Sequence, residues 1–186
     1  MSFLKQWKKE FVELLKSPII ISENGLILKL EYKNEHNEWH RNPEISPAFI
    51  WYYGNGNIYC ESYLVNGMQH RLEGPAFIEY YENSNVSYES YWVNGEEHRL
   101  DGPACISYYE NGNIRCKEYW VNYKKHKLEG PACIGYYENG NIHYKKYYVN
   151  DKMHKLEGPA NIGYRETGEI FYEEYYINGR QKIIKI

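Results

Sequence analysis

The sequence predicts an all-β fold, an elongated array of stacked antiparallel β-hairpins with a 28-residue period and one N-terminal amphipathic capping helix. Three observations carry this. Prolines recur at Pro47, Pro75, Pro103, Pro131 and Pro159, and each opens a copy of one unit. Asn-Gly pairs separate short runs of β-branched and aromatic residues, a strong hairpin signal. The 22 tyrosines dominate the apolar content, and a flat ring with a polar tip suits a half-wet sheet.

Residues 1–17 read as a helix. Leu4, Trp7, Phe11, Leu14 and Leu15 form one stripe with lysines opposite, Ser2 is the N-cap and Ser17-Pro18 is the stop. The stripe is expected to cap the open end of the stack, with a membrane-surface position as the alternative. Residues 18–46 are a degenerate first repeat: Ser22–Gly25, Tyr32 and His40-Arg41 echo the later pattern. Five clear units follow at 47–74, 75–102, 103–130, 131–158 and 159–186.

The third unit shows the expected order of strand, tight turn, strand and longer turn. Ala104–Tyr109 is the first strand, Glu110–Asn113 the turn and Ile114–Val121 the second strand. Asn111-Gly112 at the centre predicts a type I′ turn, which needs φ > 0 at both residues. With Glu110 opposite Asn113, Ala104, Ile106 and Tyr108 share a face with Tyr119 and Val121. Cys105, Tyr109, Ile114 and Cys116 share the other. A second Asn-Gly (Asn66-Gly67, Asn94-Gly95, Asn178-Gly179) leads towards the next unit, and becomes Asn122-Tyr123 and Asn150-Asp151 in the middle units. Lysines at the C-terminal end, Lys182 and Lys185, oppose pairing at the last edge.

A net charge of −3 gives no field that would draw the chain to nucleic acid or anionic lipid. The charge is uneven, however. Pro75–Gly102 carries one positive and six negative residues, and Pro103–Gly130 five positive and three negative. Mean hydropathy is −0.78, but the aromatic and β-branched content argues against disorder. The four cysteines are expected as reduced, small apolar fillers: Cys105 and Cys133 share one repeat slot, Cys60 and Cys116 another, and equivalent slots lie too far apart for a disulfide. No CxxC spacing, secretory signal or membrane-length apolar run is present, so a cytoplasmic protein is expected.

The histidine column His70, His98, His126 and His154 repeats about every 9–10 Å along a sheet, so it cannot converge on one metal ion. A structural duty at the turn is expected instead. Glu96-Glu97 and Glu173-Glu174 point to opposite faces of a strand and cannot share a substrate. No catalytic or phosphate-binding motif occurs. No enzyme, cofactor, catalytic residue or metal site is therefore expected.

The pattern YYENGNI…YWVNG…H resembles MORN-type (membrane occupation and recognition nexus) repeats, most of all the variants in bacterial antitoxin components and in phage and giant-virus repeat proteins. The resemblance covers Pro47–Gly179 and, loosely, Ser22–Ser46. It implies stacked hairpins, a binding or scaffolding role, and a bacterial or virus-infected host cell as the setting. The expected function is non-enzymatic binding of another protein, as an antitoxin or inhibitor that masks its partner. Small-ligand binding (choline or glycan) by the aromatic repeats and a membrane or structural scaffold are the alternatives. No nucleic-acid partner or membrane contact is expected, and self-association through the sheet stays open. The expected contact residues are the slot before the second Asn-Gly (Leu64, Trp92, Trp120, Tyr148 and Tyr176) with the charged residues Glu96, Glu97, Lys124 and Lys125.

Overall fold

The computed structural model describes residues 17–182, and among these every regular element is a β-strand. The helix expected over 1–17 lies, but for its last residue, outside the described residues, as do Lys185 and its neighbours. No helix among the described residues is long and apolar enough to cross a membrane.

Twelve strands belong to the main antiparallel sheet. The chain divides into two compact units, one with residues up to Val86 and Tyr91–Gly95, the other with Ser87–Ser90 and residues from Glu96 onward. In the first, Ile19–Glu23, Leu26–Glu31, Phe49–Tyr52, Ile58–Ser62 and Phe77–Tyr80 pair in that order, and Leu64–Val65 pairs with Met68–Gln69. In the second the order runs through Ser87–Ser90 of the strand Val86–Ser90, then Cys105–Tyr108, Ile114–Glu118, Cys133–Tyr136, Ile142–Lys146, Asn161–Tyr164 and Ile170–Glu174. Three short hairpins accompany it: Trp120–Val121 with Lys124–Lys125, Tyr148–Val149 with Lys152–Met153, and Tyr176–Ile177 with Arg180–Gln181.

Each repeat therefore makes two ladders. The strand expected over Ile114–Val121 breaks at Tyr119, whose amide donates to the Ala132 carbonyl and whose own carbonyl accepts the His126 amide. Those two bonds move the chain from the main sheet into the short hairpin.

Both Asn-Gly turns form, but the type I′ geometry belongs to the second. Asn66-Gly67 and Asn94-Gly95 have positive φ at both residues, as do Asn122-Tyr123 and Asn150-Asp151. In the first turn, Gly112 has φ +85 while Asn111 is absent from the positive-φ residues. There Tyr109 accepts the Gly112 amide at 2.9 Å and pairs with Asn113, giving a three-residue loop that ends in a left-handed glycine. The Asn111 side chain holds it by accepting the Asn113 amide at 2.9 Å. The extra loop residue produces a bulge, so Ser107 faces Cys116 but Tyr108 faces Ile114. Ile114 thus joins Ile106 and Tyr108, while Cys105 and Cys116 share a face as expected.

The prolines mark the repeat, but the alanine after each fills its core. Ala48, Ala76, Ala104, Ala132 and Ala160 have no exposed surface. Neighbouring repeats are stitched by side chains: the hydroxyls of Tyr109 and Tyr137 donate to the carbonyls of Tyr136 and Tyr164, both at 2.8 Å. The histidine column has the structural duty its repetition implies. Nδ1 of His70, His98, His126 and His154 accepts the amide of Asn94, Asn122, Asn150 and Asn178, the first residue of the next type I′ turn. The cations that follow stack on tyrosines, with Lys127 3.5 Å from the Tyr119 ring centre and Lys155 4.0 Å from that of Tyr147.

Candidate functional site at the Cys116–Cys133 strand pair

Cys116 and Glu118 are two residues apart on one strand, so both side chains leave the same face. The register sets Glu118 opposite Cys133 and Cys116 opposite Gly135. Cys116 and Cys133 are diagonal neighbours across two strands. Their sulfurs lie 3.9 Å apart, and Cys133 Sγ is 3.5 Å from Glu118 Oε1. Gly135 is flanked on its other side by Tyr144. Because Gly135 has no side chain, the Tyr144 ring crosses it, and the hydroxyl comes within 3.5 Å of Cys116 Sγ and 3.9 Å of Cys133 Sγ.

The short hairpin completes the group. Lys125 Nζ reaches Glu118 Oε1 at 2.7 Å, and Trp120 Nε1 donates to Oε2 at 3.2 Å. The same ammonium lies 5.0 Å from the Trp120 ring centre and 6.0 Å from that of Tyr148. Burial opposes the charge on Lys125, but the bond to Glu118 outweighs it and its pKa is raised. The hydrogen bond between the two thiols, in which either can donate, together with the Tyr144 hydroxyl brings Cys116 down to about 7 against the desolvation that opposes ionisation. The same hydrogen bond, with burial, pushes Cys133 up. The contact between the two thiols thus shifts them in opposite directions.

All four cysteines are free. Cys60 fits the filler reading: it is buried, and desolvation raises its pKa to about 11. Cys116 and Cys133 do not. They meet because strand pairing brings different repeat slots together, a relationship that comparing equivalent slots misses. One repeat earlier, Cys105 Sγ donates to Glu97 Oε1 at 3.2 Å, and burial raises the pKa of Glu97.

The residues expected at a contact surface separate into three groups. Trp120 and Lys125 converge on Glu118, and the Tyr148 ring flanks the Lys125 ammonium. Glu97 turns to Cys105, whereas Glu96 and Lys124 are exposed. Leu64 is buried, and Trp92 and Tyr176 are half-buried. The slot also has a backbone duty: the carbonyls of Trp120, Tyr148 and Tyr176 accept the amides of Arg99, Lys127 and Lys155.

A second feature lies in the longer turns. Leu100, Leu128 and Leu156 occupy one repeat slot and are 80%, 78% and 76% exposed; Leu72, the equivalent in the first unit, is 68% exposed. The signal was the motif His-(Arg/Lys)-Leu-(Glu/Asp)-Gly itself, an invariant apolar residue in a polar turn. In comparisons with known proteins, the chain matches no family model and no curated protein.

Proposed function

We propose that the chain is a non-enzymatic repeat protein that binds another protein, and that Leu100, Leu128 and Leu156 form a contact edge. The carrying observation is their exposure. A single exposed leucine is ordinary. A leucine left in water at the same point of successive repeats is not explained by stacking, because most of its side chain stays in solvent. Burying each against a partner would contribute about 1.5–3 kcal/mol. Repeats of two strands advance about 9–10 Å, close to the ~10.5 Å advance of one heptad of an α-helix. An amphipathic helix with one apolar residue per heptad therefore suits the edge.

The resemblance of the Tyr-Tyr-x-Asn-Gly units to MORN-type repeats supports a binding role. The finer reading, an antitoxin or inhibitor that masks its partner, rests on that resemblance alone. The test is crosslinking and capture from source-cell extract with the wild-type chain and the triple variant Leu100→Ser, Leu128→Ser, Leu156→Ser. Far-ultraviolet circular dichroism confirms that the variant folds. A specific protein held by the wild type and lost by the variant is the expected result. Identical capture by both, or flotation of only the wild type with lipid vesicles, overturns the reading.

Glycan binding is a second reading, favoured by one observation in the first unit. Trp51 is 43% exposed and stacks on Tyr59 at 6.3 Å with the ring planes 17° apart. Saturable quenching of tryptophan fluorescence by oligosaccharides, lost in Trp51→Ala, would establish it.

A further inference from the structure

We propose that Cys116, Cys133 and Glu118 form a binding site for a thiophilic divalent cation of the Zn(II) class, with the Tyr144 hydroxyl at the fourth corner. The edges of the group carry the proposal. Tetrahedral zinc with Zn–S of about 2.3 Å requires a sulfur–sulfur edge of ~3.8 Å, and with Zn–O of about 2.1 Å a sulfur–oxygen edge of ~3.6 Å. The Cys116–Cys133 sulfurs are 3.9 Å apart. Cys133 Sγ to Glu118 Oε1 is 3.5 Å, and the Tyr144 hydroxyl is 3.5 and 3.9 Å from the two sulfurs. The ligand atoms of the two cysteines and Glu118 all lie within 4.8 Å of one another.

The repeat supplies an internal control. The positions of Cys116, Glu118 and Cys133 are held by Tyr88, Ser90 and Cys105 one repeat earlier, and by Tyr144, Lys146 and Asn161 one repeat later. The first of these sets has one thiol and the second none, so neither offers a pair of soft ligands. Stacking therefore does not account for the trio. A disulfide does not account for it either: diagonal partners on antiparallel strands stand about 7–8 Å apart at Cα, at or beyond the ~7 Å that a disulfide spans.

The surroundings suit the ion. Each carboxylate oxygen accepts more than one bond, so Glu118 Oε1 holds Lys125 and still offers a lone pair. The Trp120 indole holds the other oxygen, Oε2, and with Lys125 fixes the carboxylate's orientation, as groups around metal ligands do. Binding replaces two S–H bonds with two metal–sulfur bonds and releases the protons to solvent, with no change of oxidation state. Two thiolates, one carboxylate, the dication and Lys125 sum to zero charge. The Glu118 side chain is 27% exposed, which leaves the ion a way in.

The test uses the reduced full chain and Co(II) as the probe. The expected result is a saturable thiolate-to-cobalt charge-transfer band that Zn(II) displaces. Cys116→Ser and Cys133→Ser abolish the band, while Cys60→Ser and Cys105→Ser keep it. Trp120→Phe, which leaves all ligands in place, weakens binding about 10–100-fold. Absence of the band in the unaltered chain overturns the proposal whatever the variants do, and so does a band that survives loss of both Cys116 and Cys133 or is lost equally in Cys60→Ser.

Discussion

The ring of Tyr144 lies across Gly135, its direct partner on the next strand, and a Cβ at Gly135 would run into that ring. The last repeat copies the arrangement with Tyr172 over Gly163. In the first full repeat the same pair of slots holds Trp51 and Cys60, so the large side chain has changed strands. Gly135→Ala should therefore displace Tyr144 and destabilise the fold by about 1–3 kcal/mol, the usual cost of overpacking. Tyr144→Phe keeps the ring and should cost less. Thermal unfolding followed by circular dichroism distinguishes them, and equal midpoints for wild type and Gly135→Ala would contradict the packing account.

Ala132 has no exposed surface, and its carbonyl accepts the Tyr119 amide that ends the main ladder. Two added methyl groups have nowhere to go without moving that crossing. Ala132→Val should cost about 1–3 kcal/mol, seen as a thermal midpoint lowered by several degrees. A neutral result would mean that the space around the alanine column relaxes freely.

The period made the hairpin array legible in the sequence, because each unit repeats its turns and its strands. It did not identify which turn is type I′. Asn-Gly suits both loops, and the choice depends on whether Asn takes positive φ, as Asn94 does, or uses its side chain to cap a three-residue loop, as Asn111 does. The thiol–carboxylate group was hidden for a related reason. Cys116 and Cys133 are 17 residues apart, which becomes proximity only once the pairing of Glu118 with Cys133 on the next strand is known. The leucine row was legible but easy to overlook, since a repeated residue reads as a packed one until its exposure is seen.

Tyr123 occupies the second position of a type I′ turn with φ +63, where three other repeats have glycine. A left-handed conformation costs an L-residue about 1–2 kcal/mol, partly offset by the ~0.4–1 kcal/mol of unfolded-chain entropy that glycine adds. On these backbone terms alone, Tyr123→Gly is worth roughly 0.5–1 kcal/mol of stability. Asp151 has the same strain at φ +62, but its Oδ1 accepts the Lys125 amide at 2.7 Å. Asp151→Gly loses that bond and should gain nothing. Denaturant midpoints of the two variants, compared with wild type, test the distinction; a gain for Asp151→Gly of the same size would remove it.

Glu97 should make the fold more stable in mild acid than at neutral pH. Burial raises its pKa above the ordinary 4.5, with the charge of Glu118 adding to the effect and the Cys105 hydrogen bond opposing it. A carboxyl that binds its proton more tightly when folded favours folding below its unfolded pKa. That advantage shrinks as pH rises from the unfolded value to the raised folded one, and above the folded value the fold carries the full cost of a half-buried charge. Glu97→Gln keeps an acceptor for the Cys105 thiol and removes the charge. Its thermal midpoint should exceed that of the wild type at pH 7, and the difference should close as pH falls through the folded pKa towards 4.5. The lysine-paired carboxylate Glu31 behaves in the opposite sense. Its burial is overcome by Lys29 at 2.8 Å and Lys33 at 3.5 Å, which together lower its pKa. Glu31→Gln should therefore be destabilising at pH 7, with the loss disappearing as pH drops below 4.5 through the depressed folded value. Midpoints of both variants across pH 3 to 8 separate the two carboxylates, and a pH-independent difference for Glu97→Gln would show that its charge is not the cause.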